Sequence, residues 1–131
     1  MAQALIRLCK SRYHEEKHPA IAGYNAAMRT DRRRQILQEA WTGDAVLTLF
    51  AREMILREAG EIDSEKAVRL TSNQFLAAFG DPSEVEAEIG RAYEERGLAG
   101  AYAHIEARLV PNFRKMEEKR QKVLRPQRPP G

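Results

Sequence analysis

Several features are scarce in this chain of 131 residues, and each scarcity excludes something. There is one cysteine, Cys9, so no internal disulfide can form and no cysteine cluster can hold a metal. A reducing compartment suits such a chain, and a cytoplasmic location is expected. No run of about 18 apolar residues occurs, so no membrane span and no membrane partner are expected. The opening MAQALIRLCK lacks the long apolar centre of a signal peptide. It is basic and carries no acid before Glu15, which leaves a transit peptide open. No stretch alternates cleanly with a period of two, which points away from strands and towards an all-α fold. Aromatic residues make up only 7% and do not interleave with the basic ones, which argues against a platform for stacking single-stranded bases.

What is present is charge, unevenly laid out. Residues 1–34 hold eight Lys/Arg against three Asp/Glu, residues 35–110 hold seven against fourteen, and residues 111–131 hold seven against two. An acidic body therefore lies between two basic arms. Cations on arms suit a polyanion, because phosphate contacts release counterions. Acids in the body would repel that polyanion unless some of them hold cations. Surface charge that only aids solubility is the plainer alternative.

The apolar periodicity predicts about six to seven helices in one domain, 1–124, with its core over 31–113. A first amphipathic segment covers about 2–17 and stops at Pro19. A weaker one covers about 19–28. The third starts near Thr30 or Asp31 as a cap and ends near Ala59, with Gly60 closing it. A fourth runs from about Ser64 to Phe79 and is closed by Gly80. The fifth has the clearest start: Asp81 as N-cap, Pro82 at N1 and Glu84 as the acid of a capping box, with its stop at Gly97. A sixth covers about 99–110, after which Pro111 either opens a last helix or kinks the chain. Residues 125–131, RPQRPPG, form a basic tail whose composition predicts disorder.

The pentad His14-Glu15-Glu16-Lys17-His18 matches the H-E-x-x-H pattern of zinc proteases, in which two histidines one turn apart chelate the metal. Pro19 ends the helix that must hold His18, and His104 is the only other histidine. The pentad reads better as an exposed polar turn.

The stretch QEAWTGDAVL, residues 38–47, breaks two local rules at once. Gly43 costs a helix interior roughly 0.5–1 kcal/mol against alanine. Asp44 is a poor helix former beside it, on or next to an apolar face. Glu86 sits in a second such stretch, SEVEAEIGRAYEERG, where an acid is again followed by a glycine, Gly90. Two acids projecting from packed helices can hold a hard divalent cation through oxygen. Exposed surface acids are the alternative.

GDAVLTLFAREMIL resembles the signature helix of the ribonuclease III endonuclease domain, with its G-D-A-[VI]-[LF] core. LTSNQFLAAFG resembles that family's S-N-x-x-L-A helix. EVEAEIGRAYEERGLAGAYAHIEARLVP resembles its second catalytic helix and the segment behind it. The three blocks stand in the family's order over roughly residues 36–113. The resemblance implies a ribonuclease III-like helical endonuclease domain, a homodimer, and double-stranded or structured RNA as substrate, cleaved by hydrolysis of its phosphodiester bonds. It places Asp44 and Glu86 on the two acids that hold the catalytic Mg²⁺, with Mn²⁺ an alternative. Trp41, Leu47 and Phe50 become core or interface residues. Departures are also plain. Leu37 and Ala40 stand where the signature helix carries glutamates, and Ser83 where an aspartate is common. Only a dozen residues connect Asn73 to Glu86. No double-stranded-RNA-binding domain follows, as in the compact single-domain branch, Mini-III, which also lacks several of these acids. Glu39 is one position off the family's acid and about 140° round the helix from Asp44. Glu61, Asp63 and Glu65 are the candidates for a further acid, and Asp81 is better explained as a cap. Arg32, Arg33 and Arg34, with Arg114, Lys115, Lys119, Arg120 and Lys122, are expected to bind the duplex backbone, which asks for cations rather than a base code. A non-cleaving RNA-binding protein of the same fold, within a ribonucleoprotein, is the alternative expectation.

Overall fold

The computed structural model of the chain describes residues 21–125. Every regular element among them is helical. The order is α1 (Ile21–Ala59), α2 (Ser64–Thr71), α3 (Asn73–Leu76), a 3₁₀ turn (Ala77–Phe79), α4 (Pro82–Arg108) and α5 (Val110–Leu124). The chain divides into two units, Met1–Arg34 and Gln35–Gly131. In the first, the described residues 21–34 are helical throughout. Segment 2–17, the histidine pentad and residues 126–131 of the tail lie outside the described residues. No helix of the described residues is long and apolar enough to cross a membrane.

α1 starts earlier than its sequence suggests and absorbs the weak segment before Thr30. Thr30 does not cap. Its hydroxyl donates back to the Ala26 carbonyl at 2.9 Å, the bond a threonine makes inside a helix. With no glycine or proline between Met28 and Asp31, nothing interrupts the backbone there. The far end is as expected. Gly60 adopts φ 72° and its N–H donates to the Leu56 carbonyl at 3.0 Å.

The helix expected over Ser64–Phe79 is divided. Asp63 opens α2 by accepting from the Lys66 N–H at 3.0 Å. At Ser72 the backbone turns extended, with φ −73° and ψ 147°. The Ser72 hydroxyl donates to the Arg69 carbonyl at 3.0 Å and accepts from the Phe75 N–H at 3.2 Å, so one side chain closes α2 and caps α3. Asp81 does occupy the N-cap of α4, with Pro82 behind it, but its side chain makes no capping hydrogen bond.

α4 is two arms rather than one rod. Gly97 has φ 73° and ψ −173°, outside the helical region. Glu88 and Arg108, 20 positions apart, would be about 30 Å apart along a straight helix. Their side chains instead pair at 3.1 Å, so the chain reverses at Gly97 and the second arm folds back on the first. The break expected at Gly97 is therefore present. Pro111 opens α5 rather than kinking it.

The core belongs to the second unit. Along α1, Val46, Leu47, Phe50, Ala51, Met54 and Ile55 repeat at the spacing of one helix face and are all buried. Val85 and Ile89 meet them from the first arm of α4, and Ala101 and Ile105 from the second. Each fully buried large aliphatic side chain contributes about 1.5–3 kcal/mol. Phe75 stacks edge-on against Phe113 at 5.5 Å and Phe79 at 5.3 Å, which ties α3 to α5. Arg69 of α2 grips Glu117 of α5 through two parallel bonds of 2.7 and 3.0 Å. Arg114 of α5 holds Glu58 of α1 at 2.7 Å.

Candidate active site

The glycine in the middle of α1 is explained by α4. A side-chain carbon at Gly43 would overlap the carbonyl oxygen of Glu86, and one at Gly90 would overlap the carbonyl oxygen of Glu39. The two helices thus cross backbone on backbone, with one glycine from each at the contact. Lower-numbered residues of α1 meet higher-numbered residues of α4, so the helices run antiparallel through the crossing.

This crossing positions the acids. Glu86 is the residue whose backbone touches Gly43, and Asp44 is the next residue along α1. Glu86 is half-buried and Asp44 exposed. Burial, and secondarily the charge of Asp44, push the Glu86 carboxyl up to about 7. Among the described residues neither carboxylate has a hydrogen-bond or ion-pair partner of opposite charge.

The other acids are engaged elsewhere or stand apart. Glu39 is only 5% exposed. Its two oxygens face Arg91 at 3.2 Å and the Gln35 amide at 3.0 Å, so it is an internal counter-ion and does not join Asp44. Asp63 is the cap of α2, while Glu61, Glu65 and Asp81 are exposed. No group of three or more potential metal ligands exists among the described residues. Hard divalent cations take oxygen donors and keep part of their shell for water, so two carboxylates can form part of such a donor set.

Beside this pair, α1 exposes an apolar strip. Leu37, Trp41, Ala45 and Leu49 follow at intervals of four and all face solvent, Trp41 at 82%. Leu47 and Phe50 lie in the core, and Trp41, expected in the core or at an interface, is exposed in the single chain. At i−3 from Asp44 it lies on the outward side of the crossing.

The basic residues are exposed as expected. Arg32, Arg33 and Arg34 lie in the first unit, and Lys115, Lys119, Arg120 and Lys122 line α5 of the second. Arg114 is already committed to Glu58, whose carboxyl that hydrogen bond holds below its ordinary value. Sequence reasoning missed the Glu39–Arg91 pair, and it missed Arg52, which is exposed two turns beyond Asp44 with no hydrogen-bond or ion-pair partner among the described residues. The signal for the first was the doubled glycine, since a helix crossing that close leaves little room for water around Glu39. No protein-family model, curated protein or solved structure matches the chain.

Proposed function

We propose that the chain is a metal-dependent endoribonuclease of ribonuclease III type, acting on double-stranded or structured RNA. One observation carries the reading: two helices cross at Gly43 and Gly90 so closely that Asp44 and Glu86 act on each other electrostatically. These are the two acids that the resemblance assigns to metal binding, and they come from stretches 42 positions apart.

In this reading Asp44 and Glu86 hold Mg²⁺. A divalent cation bound there supplies a Lewis acid and lowers the pKa of its water. Asp44, exposed, offers its oxygens from the solvent side. Glu86, held by α4, would have to be deprotonated to hold the cation, against the burial that favours its proton. Lys115, Lys119, Arg120 and Lys122 contact the phosphate backbone without reading bases. The strip around Trp41 is the face through which two copies pair, which places one acid pair in each subunit of a homodimer.

The test is cleavage of a long RNA duplex in Mg²⁺ by the wild type, Asp44→Asn and Glu86→Gln. Loss of cutting in both variants, with folding intact, is the expected result. Equal cutting by all three rejects the reading.

A second reading keeps the RNA and drops the chemistry. The apolar side chains at Leu37 and Ala40 leave the site with two carboxylates only, which favours a protein that binds structured RNA without cleaving it. It expects duplex affinity that falls steeply with salt, and no turnover with any metal.

A further inference from the structure

The metal chemistry leaves one buried charge unused. Glu39 is the only charged residue buried among the described residues. A carboxylate taken out of water is costly and persists only with a partner. That partner is Arg91 of α4, whose Nε lies 3.2 Å from one Glu39 oxygen. The other oxygen accepts from the Gln35 amide at 3.0 Å, one turn back along α1, which fixes the direction of the carboxylate. The Arg91 side chain is half-exposed, so the acid alone bears the full desolvation.

The place of this pair decides what it can do. The Glu39 carbonyl is what a side-chain carbon at Gly90 would strike, and Arg91 follows Gly90. The pair therefore spans the same crossing as Gly43 and Glu86, one turn away along each helix. Glycine surfaces present no ridge to fill a groove, so that contact by itself does little to stop one helix sliding or turning on the other. A slide of one residue is about 1.5 Å and a turn of one residue about 100°. Either would change how Asp44 faces Glu86, and the like charges of those two favour parting. Opposite charges at Glu39 and Arg91 pull the helices together and resist both movements. Plain stability is the competing role, but two apolar side chains of similar size usually serve that as well as a buried ion pair does. What the ion pair adds is a choice of one alignment.

We propose that Glu39 and Arg91 are positioning residues: they fix the alignment of α1 on α4 at which the Asp44 and Glu86 carboxylates share one cation. They act through the two helices and not on the metal. The inference rests on the metal-binding reading of Asp44 and Glu86 and adds to it a pair of residues outside those acids.

The test titrates the full chain with Tb³⁺, a hard cation that takes oxygen donors, and reads the luminescence sensitised by Trp41. Trp41 is the sole tryptophan and stands three residues from Asp44. Asp44→Asn should remove the signal. Thermal melting of the metal-free protein is measured beside it. Glu39→Met combined with Arg91→Met replaces both partners by flexible side chains that fill space without charge. This double variant should melt close to the wild type and bind Tb³⁺ about 10–100-fold more weakly, the range for groups that orient ligands without touching the metal. Arg91→Lys, which keeps a cation for Glu39, should retain most of the wild-type affinity. Wild-type affinity in the double variant overturns the inference and leaves the metal site standing. A double variant that melts far below the wild type makes the pair a structural bridge and also overturns it, as does an Arg91→Lys variant that binds as weakly as the double one. A wild type with no signal that depends on Asp44 removes the inference and the metal-binding reading together.

Discussion

Gly43 and Glu86 meet backbone to backbone: the place a side chain would take at Gly43 is filled by the Glu86 carbonyl oxygen. A single residue type thus decides whether the two acids can approach. An alanine at Gly43 gains roughly 1 kcal/mol of helix propensity. It also drives a methyl into a main-chain oxygen, which cannot rotate away.

Gly43→Ala and Gly90→Ala are therefore expected to destabilise by about 1–3 kcal/mol net, in the manner of overpacked cores. Urea denaturation measures this. If either variant is as stable as the wild type, the helices are not in backbone contact. The same substitutions should lower metal affinity more than Gly60→Ala, since Gly60 lies at the far end of α1.

Glu86 gives a pH dependence with a definite sign. Its carboxyl titrates near 4.5 in the unfolded chain and near 7 when folded. The folded state then binds the proton more tightly, so this stabilisation is fully present below about 4.5 and is lost as pH rises through 7. Metal-free Glu86→Gln should match the wild type in thermal stability at pH 4 and exceed it at pH 8. Burial holds His104, which faces Glu88, below its ordinary value, and this contributes the opposite slope as pH falls through 6.5. For that reason the difference between variant and wild type is the quantity to plot. Mg²⁺ should raise the wild-type melting temperature most above pH 7 and leave Glu86→Gln almost unmoved.

Trp41 supplies a test of pairing. As it is 82% exposed in the single chain, Trp41→Asp should leave the stability of a monomer within about 0.5 kcal/mol. Sedimentation should find a dimer for the wild type and a monomer for the variant. A wild type that sediments as a monomer at high concentration removes the homodimer from the proposal.

Arg69 and Glu117 offer a purely structural check. Both are half-buried and bonded through two contacts, unlike an ordinary surface pair. Arg69→Ala should cost about 1–3 kcal/mol, more than the 0.2–1 kcal/mol of an exposed pair. A double-mutant cycle with Glu117→Gln isolates the coupling.

Much of this arrangement was legible in the residues. The stripe from Val46 to Ile55 marked the core face of α1 because a period of 3.6 survives any packing. Gly60, Gly97 and the Asp81-Pro82 step marked boundaries because their backbone needs are local. Thr30 misled, since the same hydroxyl serves a helix start or a helix interior, and only the neighbouring turn decides. Ser72 was missed because a polar residue in an apolar run looks like a tolerated exposed position. Asp44 and Glu86 were singled out because each shares a helix centre with a glycine, Gly43 and Gly90, and because the resemblance falls on them. Their juxtaposition was not readable, because the distance between two helices is set by what packs around them. Trp41 was expected in the core or at an interface from the resemblance, which does not settle whether its cover comes from the same chain.

The reversal at Gly97 has a practical consequence. Residues 94–99 are all exposed, and Arg96 stands just before the turn. Trypsin under native conditions should nick the chain there early, and the two fragments should still elute together. Glu88–Arg108 and the apolar surfaces of both arms would clamp them, so covalent continuity at that corner is dispensable once the chain has folded. A fluorescent label or a short peptide insert placed at Gly97 would then report on the molecule without disturbing the helix crossing that holds the acids.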